Sequence, residues 1–338
     1  MPEATPNASA LPEIAGSAAP LVALLPAPVI PSEETVLLAE LLSRAQEFAR
    51  EARAENTLRA YRSDWKDFEG WCRDHNFVCR PASPETVALY LTALSRSRKV
   101  STLTRRISAI SQAHQTAGHP SPTEESPVRL VMAGIRRSLG TAAAAKRPVL
   151  VPDLQAMVTA LPDNLLGLRD RALLLIGFSG AFRRSELVGL DWEHLAETVD
   201  GLVITIRRSK TDPEAEGRKI AIPRGREEST CPLRALFFWR AAAGIESGPV
   251  FLRVNRHGQI LGKRLSAEAV AIVVKRWASR IGYEKGEFAG HSLRSGLATA
   301  AAIAGKSERA IMNQTGHRST TTVRRYIRGR QSVPRQRS

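Results

Sequence analysis

His291 to Tyr326 reads HSLRSGLATAAAIAGKSERAIMNQTGHRSTTTVRRY. It opens on His291-Ser-Leu-Arg294, passes Gly316-His317, and closes on Arg324-Arg325-Tyr326. On a helix, residues i and i+3 share a face, so His291 and Arg294 can address one anionic group. Alone, such a pair reads more readily as a buried, backbone-satisfied histidine beside an unrelated surface arginine. The surrounding charge adds to it: from His291 to Ser338 there are ten Lys or Arg and one acid, Glu308. A merely solvated face would carry balancing carboxylates, and this one points to a polyanionic partner.

The same excess holds for the whole chain. Its 338 residues contain 49 Lys or Arg against 33 Asp or Glu, a net charge of +16, while 43% hydrophobic residues place it in the globular class. That length suits about two domains and excludes a mini-protein that needs disulfide or metal staples. Cys72, Cys79 and Cys231 are odd in number and too far apart for a CxxC clip, which predicts structural thiols in a reduced, cytoplasmic compartment. Apolar runs such as Ala172 to Phe182 are about half the ~20 residues of a membrane span, so no membrane partner is expected.

Residues 1–34 hold seven prolines, eight alanines and four charges, all acidic, and read as a disordered Ala/Pro-rich leader without a targeting signal. The remaining 304 residues then carry +20, so the basicity belongs to the folded part. From Thr35 to about Gly140 the chain reads as nearly all helix. One helix starts near Val36 and a second has Asn56 as its N-cap, with Leu58, Tyr61, Trp65, Phe68, Trp71 and Cys72 at three- and four-residue steps. Pro84, Thr102 and Pro127 open three more. Thr141 to Pro148 reads as a linker ahead of a helix opened by Pro152.

Residues 149–330 are mixed. Helices are expected near 152–161, 169–179 and 183–190. The alternating run Leu202 to Arg207, a turn through TDPEAEG, and Lys219 to Ile222 then predict a β-hairpin. Ala267, Val270, Ala271, Val274, Trp277, Ala278 and Ile281 form an apolar helical stripe, followed by helical stretches to about Arg328 and a basic tail at 331–338. The expected fold class is mainly α with a small β-sheet (α+β). Trp192, Trp239 and Trp277 are expected in the core.

Two further elements stand out. In Gly180-AFRRSE-Leu187, Arg183 and Glu186 share a helical face; taken alone they make a surface ion pair worth a few tenths of a kcal/mol. Lys210 ends the first hairpin strand, where a basic residue also serves as an edge gatekeeper. Taken together, Arg183 with Glu186, Lys210, His291, Arg294, His317 and Tyr326 resemble, in order and spacing, the active-site series of the tyrosine recombinase, or phage integrase, family that includes Cre and the Xer recombinases. The pattern Tyr61, Trp65 and Phe68 resembles the family's SAM-like helical core-binding domain.

That resemblance implies a core-binding domain over 35–145 and a catalytic domain over 149–330, gripping double-stranded DNA between them, with four copies on two DNA sites. It also implies a site-specific recombinase, nucleoid-associated, that cuts and rejoins strands through a 3′-phosphotyrosine on Tyr326. Arg183, Lys210, His291, Arg294 and His317 would be catalytic and Glu186 supporting, with no cofactor, ATP or metal. Chemistry supports these residue types independently: attack on a phosphodiester adds a negative charge at phosphorus, which permanently charged guanidinium forks are suited to hold. The phenol, with an ordinary pKa near 10, needs a cationic pocket to become nucleophilic at pH 7. The alternatives are a catalytically inactive DNA-binding regulator with the same fold, a metal-dependent nuclease using His291 and His317, and a relaxing type IB topoisomerase. The target sequence, the element served and the accessory factors are not encoded in any residue pattern.

Overall fold

A computed structural model describes residues 33–51, 55–141, 146–206, 217–284, 286–317, 319–321 and 323–324. The leader expected over 1–34, apart from its last two residues, lies outside them, as do Lys210, Tyr326 and the basic tail. The chain divides into two compact units, Met1–Ala143 and Ala144–Ser338.

Five α-helices build the first unit: α1 (Glu33–Glu51), α2 (Glu55–Asp74), α3 (Pro84–Ser95), α4 (Val100–Thr116) and α5 (Ser126–Leu139). The first begins at Glu33, inside the expected leader, and leaves Leu37, Leu38, Leu41 and Phe48 exposed. The other four close around Trp65, Phe68, Val87, Tyr90, Leu91, Leu103, Ile110, Val128 and Met132. Ser83 accepts from the Thr86 N–H and Pro84 sits in the first turn, as its fixed φ favours. Asn56 is not the N-cap of α2, because the helix already includes Glu55, and α4 starts at Val100 rather than Thr102. Inside this unit Arg105 grips the buried Asp64 through Nε at 2.6 Å and Nη2 at 2.9 Å, and Arg106 bonds both Asp67 and the Tyr90 hydroxyl. His114 is a satisfied core histidine: Nε2 accepts from the Ala82 N–H at 2.9 Å, so Nδ1 carries the proton given to Ile110 O at 2.8 Å.

Helix α7 (Leu165–Ser179) is the axis of the second unit, buried from Ala172 through Phe178 and wrapped by α6 (Val151–Thr159), α9 (Pro232–Ala243), α10 (Ala267–Arg280) and α11 (Ser292–Ile303). The short α8 (Arg184–Val188) and α12 (Glu308–Thr315) also belong to this unit. Trp239 is fully buried, and Trp192 and Trp277 nearly so, all within this core. The hairpin exists as β2 (Gly201–Ile206) against β3 (Arg218–Pro223), with Leu202 opposite Ile222 and Ile204 opposite Ile220 on the buried face. A third strand, β1 (Leu195–Thr198), extends the sheet beside β2, and β4 (Leu252–Val254) pairs with β5 (Ile260–Arg264) separately. Neither β1 nor the second pair shows the alternation that revealed the hairpin. All three cysteines are free, and burial pushes the Cys72 thiol up to about 12. No helix among the described residues is long and apolar enough to cross a membrane.

Candidate active site

The site is built where α7 gives way to α8. Gly180 caps α7, and a Cβ there would lie 2.0 Å from the Phe182 ring, so only glycine lets that aromatic fold back into the core. Ala181 then adopts φ 48°, a left-handed conformation that costs an L-residue about 1–2 kcal/mol. The turn directs the Ala181 carbonyl at Arg294, whose Nη1 donates to it at 2.7 Å. The two arginine motifs, more than a hundred residues apart in sequence, are thus joined through backbone.

Arg183 is the N-cap of α8, with extended dihedrals, and does not lie inside a helix with Glu186. The pair is still intimate. Glu186 accepts the Arg183 backbone N–H at 2.9 Å and its Nη1 at 2.5 Å, satisfying an orphan helix N–H while holding the side chain. The carboxylate is buried, so this is not the exposed ion pair of marginal worth that sequence alone allows. Oε2, the oxygen that takes the Arg183 backbone N–H, also accepts from Arg218 Nη2 at 3.3 Å.

His291 occupies the N-cap of α11 with its side chain exposed, and Arg294, one turn on, is buried. Two tight contacts hold the start of this helix. A Cβ on Gly290 would meet Arg184 Cδ at 2.0 Å, and one on Gly296 would meet Val149 O at 1.9 Å, where the Val149 N–H donates to Ser292 O at 2.9 Å. Arg147 and Val149, expected in or beside the linker, are therefore bonded into the second unit, Arg147 through its N–H to Glu287 O at 2.9 Å.

His317 follows α12. The Thr315 hydroxyl gives its single proton to Ile311 O at 2.6 Å, so toward His317 Nδ1, 2.7 Å away, it accepts. Nδ1 thus carries the ring proton and Nε2 is the acceptor. Burial, then the like charges of Arg294, Arg183 and Arg218, depress the imidazolium to about 4, against a weaker opposing pull from Glu186. His317 therefore stays neutral well below pH 7, first because it is buried and then because cations from three segments face it. Arg183, Glu186, Arg294 and His317 are therefore one constellation, and His291 lies exposed at the start of the helix that carries Arg294; Lys210 and Tyr326 lie outside the described residues. Arg218 is the member that sequence reading missed. Among the described residues, no group of three His, Cys, Asp or Glu side chains is arranged to hold a metal ion.

A helical first unit followed by this arginine-rich second one defines a tyrosine-type site-specific recombinase, and the chain belongs to the phage integrase family: the model "Phage integrase family" matches residues 150–332, and "Phage integrase, N-terminal SAM-like domain" matches residues 47–119. The chain is 40% identical to an integrase/recombinase XerD homolog of Selenomonas ruminantium over 84% of both chains, and 26% identical to the recombinase Cre of Escherichia phage P1 over 82% of this chain and 85% of that one. In fold it is similar to the XerH site-specific recombinase bound to difH substrate, with a TM-score of 0.58 at 14% identity over 92% of this chain and 91% of that one.

Proposed function

We propose that this protein cuts and rejoins double-stranded DNA at specific sites through a covalent phosphotyrosine. The observation that carries the reading is the convergence of Arg183, Arg218 and Arg294 on a neutral His317, with one buried carboxylate, Glu186, beside them. The excess positive charge suits a phosphodiester and suits the pentacoordinate state still better. Arg183 and Arg294 hold the two non-bridging oxygens. The Tyr326 oxygen attacks phosphorus, the bond from phosphorus to the 5′-oxygen breaks, and a 3′-phosphotyrosine forms. His317 Nε2 takes the phenolic proton, Lys210 gives one to the departing 5′-oxygen, and His291 adds a hydrogen bond at the rim.

Attack by a different 5′-hydroxyl reverses the step onto a new strand. The phosphotyrosine conserves the ester energy, so the exchange calls for no ATP, and the arginines supply the charge a metal would. Residues 35–145 act as the core-binding domain and 149–330 as the catalytic one, and exchange between two duplexes assembles four copies. The test is incubation with a nicked duplex carrying a site recovered by selection from a random pool, followed by denaturing electrophoresis. We expect a protein-linked strand from the wild type and none from Tyr326→Phe. Tight binding without any covalent strand would instead make the protein a DNA-binding regulator.

A further inference from the structure

We propose that Arg218 is a positioning residue of this site, locking Glu186 to the last turn of α12 so that His317 is held against Arg183 and Arg294. The inference rests on the reading of the site given above. Arg218 opens β3 on the same face as the buried Ile220 and Ile222, a position where the sheet calls for an apolar side chain. Its fork instead spans two elements: Nη2 reaches Glu186 at 3.3 Å and Nη1 reaches Gln314 O, in α12, at 3.0 Å. Gln314 reinforces the same junction, donating through Nε2 to Ser179 O at 2.8 Å and Ala221 O at 3.3 Å.

The guanidinium also lies against the backbone of Gly316, which is left-handed at φ 65° and whose Cβ, if present, would be 2.8 Å from Arg218 Cζ. His317 is the next residue. Meanwhile Arg218 Nε is buried with no hydrogen-bond partner, and burial lowers the pKa of the guanidinium below its ordinary value. A cation that costs stability on an apolar face is better explained by what it holds than by the sheet it sits in. A lysine there would keep the charge, but its single ammonium lacks the planar fork that meets both acceptors.

The test compares wild type, Arg218→Gln and Arg218→Lys in the full chain, using carbon-labelled histidine and nuclear magnetic resonance, with His317→Gln to assign the resonance. His317 is faced by Arg294 from α11, Arg183 and Glu186 from the α8 turn, Arg218 from β3 and Thr315 from its own segment. We expect its midpoint to rise from about 4 toward the ordinary histidine value of about 6.5 in both variants. On the selected nicked duplex at saturating protein, single-turnover cleavage should fall at least about tenfold in both. An Arg218→Lys protein indistinguishable from wild type in titration and cleavage would overturn the proposal, because charge alone would then suffice. Failure of both variants to fold would overturn it as well, assigning Arg218 to core stability. If the wild type forms no covalent strand, the strand-cleavage reading fails, while the titration still decides whether Arg218 sets His317.

Discussion

Replacing Glu186 with glutamine leaves an oxygen for the Arg183 backbone N–H but removes the negative charge that Arg183 and Arg218 share. Two largely buried guanidiniums would then face each other uncompensated, and we predict a loss of about 3 kcal/mol in chemical denaturation, with cleavage impaired in the folded fraction. Lysine in place of Arg294 keeps the charge but gives up the planar fork, one arm of which bonds the Ala181 carbonyl. Its single-turnover cleavage should drop roughly a hundredfold or more, comparable to removing one oxyanion donor in other enzymes, with a smaller change in duplex affinity. Gly180→Ala tests the turn itself. The added methyl overlaps the Phe182 ring, and overpacking of this kind should cost about 1–3 kcal/mol and misplace Arg183, read as a lowered melting temperature together with lost cleavage.

At the scale of elements, His317 makes stability depend on pH with a defined sign. Its folded pKa of about 4 lies below the unfolded value of about 6.5, so above pH 6.5 neither state binds the proton. Between about 6.5 and 4 the unfolded chain binds it and the folded one does not, so stability falls as pH falls through that window. His317→Gln should flatten this part of the denaturation profile. His114, also depressed by burial, acts in the same direction and stays in both proteins, so the difference between them isolates His317. Bound DNA adds a phosphate charge that offsets the arginines, and the His317 midpoint should rise in the complex.

The elements also show what sequence could and could not reveal. Trp65, Phe68 and Cys72 fall on the helical period, and Leu202, Ile204 and Ile206 on the strand period, because each set buries one face, which is the signal periodicity carries. Strand β1 buries little beyond Leu195, so its residues show no alternation to find. Arg183 and His291 looked like helix residues but are N-caps, since i, i+3 spacing fits a capping turn as well as a helical face. The register that exposes Arg218 was present in sequence: it precedes Ile220 by two and Ile222 by four, an arginine on an inward face. What sequence alone could not give was the partner across the fold, Gln314 in α12.

For the whole molecule, the proposed duplex partner and a net charge of +16 together predict affinity that is strongly salt-dependent. If six or more phosphates are neutralised, affinity should fall on the order of a thousandfold between 50 and 200 mM salt, read by titration at several ionic strengths. A shallow slope would mean that the basic residues serve another partner. The central claim, however, concerns one oxygen atom. Protein trapped on the nicked duplex can be digested with nuclease and protease, and the nucleotide-bearing peptide sequenced by mass spectrometry. The account predicts a phosphate-linked nucleotide on Tyr326, absent when Arg183 or Arg294 is replaced by alanine. An adduct on Tyr61, Tyr90 or Tyr283, or one that persists without either arginine, would contradict it.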